Sequence, residues 1–218
     1  MDCPLCDCKD KVTIYKYQQK FRDELFPRHY WLCGLCGLVY LDKSCFVSRE
    51  FEKCRYEEHE NDLSCDGYRQ FLLQFWEPFR GLLQQSDVGL DFGAGPGPAI
   101  RQLAAEEGIQ MVPYDPYFVP HDSVLKKKYD FVVATEVVEH FNRPQQSWKM
   151  LFQLAKEAAP VGIMTDPYEE GMDLSKWGYL LDLTHVVFYQ TKTLNWIAHQ
   201  YGKTLVTLNR RSFVFVSR

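Results

Sequence analysis

An apolar run that passes directly into a glycine-rich turn lies at residues 88–98, with the sequence Val-Gly-Leu-Asp-Phe-Gly-Ala-Gly-Pro-Gly-Pro. The run ends at Asp91 and Phe92, and a helix-like segment follows the turn. A strand, a glycine turn and a helix in this order form the ligand crevice at the carboxyl edge of an open α/β sheet. Glycines suit this turn because a ligand can approach backbone that carries no Cβ. The pattern predicts an α/β fold with a nucleotide-like ligand.

Two common nucleotide motifs are excluded by this turn. The dinucleotide pattern G-x-G-x-x-G places its third glycine where this chain has Pro98, and no Gly-Lys-Ser/Thr follows as in a P-loop. Pro96 and Pro98 also remove two backbone N–H groups that would bind phosphate. A second acidic residue, Asp115, ends the next apolar segment 20 residues after Gly95. This spacing predicts that Asp115 binds ribose hydroxyls.

The remaining pattern, Asp-x-Gly-x-Gly-x-Gly, resembles motif I of the class I S-adenosylmethionine-dependent methyltransferases, and the resemblance covers about residues 66–218. It implies a Rossmann-like sheet of seven strands and S-adenosylmethionine as cofactor. It also implies that the acidic residue and the glycines hold the methionine end of that cofactor. The predicted cofactor-binding residues are Asp91, Gly93, Gly95, Gly97, Asp115 and Glu136. The adenine contact stays open, with Asp122 and Ser123 as candidates.

Alternating helical and strand patterns follow the motif and agree with this fold class. The last two strands are expected at 204–208 and 213–217, paired antiparallel. Before the motif, a helical period runs from Tyr68 to Leu83, with a kink or a break expected at Pro78. The predicted domains are a zinc ribbon at 1–48, a linker or substrate-facing segment at 49–66, and the methyltransferase domain at 67–218.

Eight cysteines in a chain that is expected to be cytoplasmic point to metal binding or free thiols rather than to disulfides. Two C-x-x-C pairs, Cys3–Cys6 and Cys33–Cys36, are separated by 26 residues and suit one tetrahedral, structural Zn²⁺. Whether Cys8 replaces Cys6 as a ligand stays open. The remaining cysteines lack paired spacing and are expected to be free, buried thiols; they are Cys45, Cys54 and Cys65.

Acidic and imidazole groups follow the next buried strand, in Glu136-Val-Val-Glu139-His140. If these residues open a helix, the three polar side chains share one face. The same E-x-x-E-H pattern is similar to that of metal-dependent methyltransferases that modify small-RNA 3′ ends or ubiquinone precursors. In the RNA enzymes a later histidine completes the site. His185 is the candidate here. The predicted catalytic residues are Glu136, Glu139, His140 and His185, either around a second divalent metal or, without metal, with a histidine as general base.

The resemblance implies methyl transfer from S-adenosylmethionine to oxygen or carbon of a small-molecule acceptor. Two alternatives are an RNA methyltransferase that uses the ribbon to bind RNA, and a non-catalytic cofactor-binding scaffold. A net charge of −4 argues against nucleic acid as partner. No apolar run is long enough for a membrane span and the first residues do not form a signal peptide, so a cytoplasmic location is expected. The oligomeric state stays open.

Overall fold

The computed structural model describes residues 2–58, 63–97 and 99–218. Ten strands and five helices are assigned within these residues. The strands are β1 (Lys11–Phe21), β2 (Glu24–Cys33), β3 (Val39–Leu41), β4 (Val88–Phe92), β5 (Gln110–Tyr114), β6 (Phe131–Thr135), β7 (Val161–Met164), β8 (Val187–Phe188), β9 (Lys203–Asn209) and β10 (Ser212–Ser217). The helices are α1 (Arg49–Glu57), α2 (Asp66–Arg80), α3 (Ala99–Glu106), α4 (Pro144–Leu154) and α5 (Thr191–Gln200).

The larger sheet has the strand order β5-β4-β6-β7-β10-β9. Its first four strands are parallel, and β10 pairs antiparallel with both β7 and β9. Apolar side chains from α2 and α3 cover one face of this sheet, and those from α4 and α5 cover the other. This is the predicted α/β, Rossmann-like class, and the antiparallel ending is confirmed. The carboxyl ends of β4, β5 and β6 therefore meet at one edge, where ligands of such sheets bind.

The described residues form six strands in this sheet, whereas seven were expected. The missing strand would have to follow β5, between Asp115 and Tyr129. That segment instead contains a turn closed by a bridge between Asp115 and Val119, then a single 3₁₀ turn at Val124–Lys126. It is too short for both a helix and a strand. The candidate adenine contacts, Asp122 and Ser123, lie in this segment.

Helix α2 runs without a break through Pro78, so the alternative of two shorter helices is wrong. A proline at this position cannot donate to the carbonyl of Gln74, four residues earlier. The side-chain amide of Asn209 donates to that carbonyl at 2.8 Å instead. Pro78 also lies in the last turn of the helix, so few backbone hydrogen bonds are affected.

Half of the segment predicted as a linker or substrate-facing segment at 49–66 is helix α1. The Ser48 hydroxyl caps this helix by accepting from the Phe51 N–H at 3.2 Å. Glu50 and Glu52 lie in its first turn, where the helix dipole favours negative charge. Residues 59–62 of the predicted linker lie outside the described residues, and so does Pro98 in the glycine turn.

The smaller sheet has the order β1-β2-β3-β8. The first three strands come from the predicted zinc-ribbon region, and β2 was not anticipated from the sequence. The fourth strand, β8, comes from the methyltransferase part of the chain and pairs antiparallel with β3. Across the described ranges, no helix combines the length and the apolar character that a membrane crossing requires.

Close packing inside the larger sheet gives a stability prediction at Gly89 in β4. A Cβ at this position would lie 2.1 Å from atoms of the buried Phe131 ring. We expect Gly89→Ala to lower the free energy of unfolding by about 1–3 kcal/mol, because the core must shift to accept the methyl group. Gly67, in the first turn of α2, is different, since a Cβ added there would meet no atom within 4 Å.

The matched control is therefore Gly67→Ala, which we expect to raise the free energy of unfolding by about 0.5–1 kcal/mol. Chemical denaturation of both variants measures the difference. Equal effects at the two positions would contradict the packing described for β4.

Candidate active site

The glycine turn connects β4 to α3 and forms one wall of a cavity. Gly93 and Gly95 have φ angles of +78° and +63°, which favour glycine. A Cβ at Gly93 would lie 2.6 Å from the Val137 side chain, so the turn and the segment after β6 approach closely. The N–H groups of Gly93 and Ala94 both donate to the Tyr114 carbonyl, at 2.8 and 3.0 Å, and this fixes the turn against β5.

Two buried aspartates flank this turn. Asp91 is 2% exposed at the end of β4, and burial raises the pKa of its carboxyl to about 7. Arg101 opposes that rise and Asp115 adds to it. Asp115 follows β5 and accepts from the N–H groups of Gly95, Tyr117 and Phe118, at 3.0, 2.7 and 3.0 Å. The predicted carboxylates therefore both lie beside the glycine turn.

Both aspartates line a cavity of about 680 Å³ at the carboxyl edge of the larger sheet. This volume is typical of small-molecule and cofactor sites. The glycine turn forms one end of the lining. The other end includes Glu136, His140 and His185 from the predicted catalytic set, and helix α1 adds Glu52 and Tyr56 to the lining.

The expected helical face at 136–140 does not form. Glu136 has a φ of +54°, which is rare for a residue with a side chain, and only Val138–His140 form a single 3₁₀ turn. Glu136 instead accepts from Arg211 at 3.1 Å. Burial and the nearby Glu139 raise the pKa of Glu136 well above its ordinary value, and Arg211 opposes this. Glu136 is thus held in an ion pair with Arg211, while its carboxyl group stays close to that of Glu139.

Glu139, His140 and His185 do come together, with one ligand atom from each within 4.8 Å of the others. The Glu139 carboxylate is fully buried and accepts from the hydroxyls of Thr165, at 3.0 Å, and Tyr179. Burial raises the pKa of Glu139, while His140 and the two hydroxyls lower it. The carboxylate is therefore held in one place by two donors.

The two histidine rings lie against each other, with centroids 4.7 Å apart. Nδ1 of His140 is 3.1 Å from the Thr184 carbonyl, and Nδ1 of His185 is 2.6 Å from the Tyr179 carbonyl. Since a carbonyl oxygen only accepts, both hydrogen bonds require a proton on Nδ1. In the neutral form of each ring, Nε2 then carries the lone pair, which suits a base or a metal ligand.

A methyltransferase domain family matches residues 56–208, which include the glycine turn, both aspartates and the histidine pair. The chain belongs to this family. No curated protein matches the sequence significantly.

Solved structures of methyltransferases share the fold of this domain. A Burkholderia thailandensis 1,6-didemethyltoxoflavin-N1-methyltransferase, with its substrate and S-adenosylhomocysteine bound, is 11% identical with a TM-score of 0.56. The alignment covers 93% of this chain and 100% of that one. CalO1, a methyltransferase in calicheamicin biosynthesis, is 17% identical in its S-adenosylhomocysteine-bound form, with a TM-score of 0.54. There the alignment covers 78% of this chain and 58% of that one, so this chain spans little more than half of that enzyme.

Helix α1 contributes to the site of this methyltransferase domain, as the substrate-facing alternative for residues 49–66 allowed, although the sequence patterns singled out none of its residues. The Glu52 carboxylate accepts from the Tyr117 hydroxyl at 2.5 Å and from the Asn142 amide at 3.1 Å. Tyr56 packs edge-on against His140, with ring centroids 5.1 Å apart. Helix α1 thereby bridges the loops that follow β5 and β6. The first-turn glutamates and the Ser48 cap were the available signal, because together they mark a helix start.

The cysteine cluster lies outside the cavity of the methyltransferase domain. Sγ atoms of Cys3 and Cys36 are 3.6 Å apart, those of Cys6 and Cys33 are 3.5 Å apart, and all four lie within 4.8 Å of one another. Cys8 is outside this group, and its thiol donates to the Asp10 carbonyl at 3.9 Å. The predicted set of four cysteines is therefore the set that the fold brings together.

Proposed function

We propose that the chain transfers a methyl group from S-adenosylmethionine to a small-molecule acceptor. The observation that carries this proposal is the cavity, which has Asp91 and Asp115 beside the glycine turn at one end and His140 and His185 at the other. The first pair suits a donor that is cationic and contains a ribose. The second pair suits removal of a proton from an acceptor.

The donor end fits S-adenosylmethionine in its chemistry. Gly93 and Gly95 leave backbone uncovered by side chains, and the buried Asp91 carboxyl is suited to a cationic amino group. Asp115 is held by three N–H donors, which orients its carboxylate for ribose hydroxyls. Bound S-adenosylmethionine supplies an electrophilic methyl group on a sulfonium.

At the acceptor end, Nε2 of His140 or His185 takes the proton of the nucleophile. The acceptor oxygen or carbon then forms the bond to the methyl carbon, and the carbon–sulfur bond breaks with its electron pair retained by sulfur. Imidazole is suited to this step because its unperturbed pKa lies near neutral pH. Glu139, fixed by Thr165 and Tyr179, stabilises the charged ring that results.

A divalent metal is the second proposal for the same three side chains. Glu139, His140 and His185 would hold it, and each histidine already bonds a backbone carbonyl through Nδ1, as metal-binding histidines usually do. Glu136 is not part of this set, because Arg211 binds it. Such a metal supplies a Lewis acid that lowers the pKa of an acceptor hydroxyl.

Structural Zn²⁺ is proposed for Cys3, Cys6, Cys33 and Cys36. A tetrahedral site with Zn–S bonds of about 2.3 Å places its sulfur atoms about 3.8 Å apart. The observed separations of 3.6 Å for Cys3 and Cys36 and 3.5 Å for Cys6 and Cys33 fit this geometry. Elemental analysis of the purified protein separates the two metal proposals. If the unsubstituted protein contains one metal ion per chain and Glu139→Ala keeps it, only the cysteine site is occupied. If the unsubstituted protein contains two metal ions per chain and Glu139→Ala loses one, the site at Glu139, His140 and His185 is occupied as well.

Cofactor affinity is expected to depend on pH through Asp91. Because its pKa is about 7 in the cofactor-free protein, the carboxylate that binds an ammonium group forms only as the pH rises through this value. We expect affinity for S-adenosylmethionine to weaken roughly tenfold between about pH 8 and about pH 6. Isothermal titration calorimetry measures this, and Asp91→Asn should bind weakly at every pH in that range.

The same shift has the opposite sign for the stability of the cofactor-free protein. The folded state binds the Asp91 proton more tightly than the unfolded chain, so this group stabilises the fold at acid pH and loses that contribution as the pH rises through about 7. For the binding prediction, an affinity for S-adenosylmethionine that does not change with pH in the unsubstituted protein would contradict the assignment of Asp91 to the ammonium group.

A small acceptor is favoured over RNA by the charge of the cavity. Glu52, Glu136 and Asp182 all line it, and carboxylates repel a phosphate backbone. The Burkholderia relative binds 1,6-didemethyltoxoflavin, which is also a small molecule.

The proposal is tested with S-adenosylmethionine labelled in its methyl group and separated pools of small metabolites and RNA. Label is expected in the small-molecule fraction, and we expect His185→Gln to reduce it by about a hundredfold or more. Label in RNA alone would favour the RNA alternative. Tight cofactor binding with no labelled product in either pool would favour the scaffold.

A further inference from the structure

The region around the cysteine cluster is joined to the segment that carries His185. Strand β3 pairs with β8, so Val39 lies opposite Phe188 and Tyr40 lies opposite Val187. The Leu41 N–H also donates to the Val186 carbonyl at 2.8 Å. Strand β8 begins two residues after His185. The β1–β2 hairpin therefore lies directly behind the acceptor end of the cavity.

Arg28 of β2 is fully buried in this interface. Its guanidinium donates from Nη1 to the Leu183 carbonyl at 3.0 Å and from Nη2 to the His185 carbonyl at 2.9 Å. The Tyr30 hydroxyl accepts from Nη2 at 2.7 Å and from Nε at 3.1 Å. A buried guanidinium is costly unless its donors are satisfied, and here they are directed at two peptide carbonyls on either side of Thr184.

Both histidine rings are attached to the backbone that Arg28 binds, one by a hydrogen bond and one through its own residue. The Thr184 carbonyl, between the two carbonyls bound by Arg28, accepts from Nδ1 of His140. His185 carries the other imidazole on the same short segment, and its Nδ1 bonds the Tyr179 carbonyl. Gln19 of β1 adds a hydrogen bond at 2.5 Å from its side-chain amide to the Leu181 carbonyl. Two strands of the hairpin thus hold residues 181–185 from behind.

We infer that Arg28 is a positioning residue, through which the N-terminal hairpin fixes the orientation of the His140–His185 pair. Arg28 does not line the cavity described above, so it acts through Thr184 and His185 and not on an acceptor. The importance of this positioning by Arg28 for methyl transfer rests on the proposed function. The positional effect itself is independent of that function and is measured without any acceptor.

The test uses the full chain labelled with nitrogen-15 at histidine, and a spectrum that correlates imidazole protons with ring nitrogens. The His140 and His185 signals are assigned with His140→Gln and His185→Gln. In the unsubstituted protein we expect each ring to show a single tautomer with the proton on Nδ1. Arg28→Met is expected to abolish the single His185 signal by mixing tautomers, and to shift the His140 signal. Binding of S-adenosylmethionine should change less than about threefold, because Asp91 and Asp115 belong to other elements.

The same substitution at an exposed arginine is the matched control. Arg22 lies at the tip of the hairpin with its side chain 72% exposed, and Arg22→Met should leave both histidine signals unchanged. Arg28→Lys keeps the charge but cannot bind both carbonyls with one planar group, so we expect partial recovery of the His185 signal. If Arg28→Met does not fold, Arg28→Lys alone decides. Unchanged tautomers in a folded Arg28 variant would overturn the inference, whatever the outcome of the methyl-transfer assay.

Discussion

Replacement of Cys33 by serine is expected to remove bound zinc and to lower the free energy of unfolding by more than about 4 kcal/mol. Cys33 is buried at the end of β2, and its Sγ lies in the cluster of four. Binding of structural zinc contributes directly to folding, because the unfolded chain lacks the assembled site. Elemental analysis and chemical denaturation measure the two effects.

Cys54→Ser is the matched control for this prediction. Cys54 on α1 is exposed, as is Cys65, so the expectation that these thiols are buried was wrong. Because Cys54 also lies outside the cluster, the variant should keep its zinc and its stability. A Cys33→Ser protein as stable as the unsubstituted one would show that the cluster does not support the fold. Absence of zinc from the purified unsubstituted protein would contradict the proposed metal site.

Asp115→Ala is expected to weaken binding of S-adenosylmethionine by at least about a hundredfold. Two ribose hydroxyls that donate to one carboxylate are together worth about 3 kcal/mol or more, which corresponds to this factor. The substitution also removes the acceptor of three backbone N–H groups, so the glycine turn and the segment after β5 lose their shared anchor. Calorimetry measures the affinity directly.

Asp23→Ala is the control for Asp115, since Asp23 is an exposed carboxylate in the turn between β1 and β2 and is not part of the cavity lining. It should bind S-adenosylmethionine with an affinity within about twofold of the unsubstituted protein. If Asp115→Ala binds equally well, the assignment of Asp115 to the ribose is wrong.

The donor end of the cavity was predictable because its groups are set by local sequence. The glycine turn follows its strand directly, and Asp115 ends the next strand along the chain. Parallel neighbouring strands bring these ends together in any sheet of this class. The cysteine cluster was predictable for a related reason. Each C-x-x-C pair is set by its own local turn, so only one long-range contact, between the two turns, has to form to bring the four thiols together.

The acceptor end was less predictable because its contacts join distant parts of the chain. The partner of Glu136 is Arg211, and the hydroxyls on Glu139 come from Thr165 and Tyr179. No local spacing encodes these pairs, and the predicted helical face at 136–140 was wrong, although Glu139 and His140 from that segment do meet His185. The role of Arg28 depends on the pairing of β3 with β8, which lie far apart in the sequence, and a hydrophobic pattern does not specify such a pairing.

The pairing of β3 with β8 has a practical consequence for dissecting the protein. A fragment that begins at residue 67 would leave the short edge of β8 without a neighbouring strand. It would also uncover Phe188 and Val187, which are about 1% exposed in the full chain. Unpaired edges with apolar side chains favour association between molecules. Insolubility of such a fragment would therefore say little about the methyltransferase domain itself, and its interactions are better studied by point substitution in the intact chain.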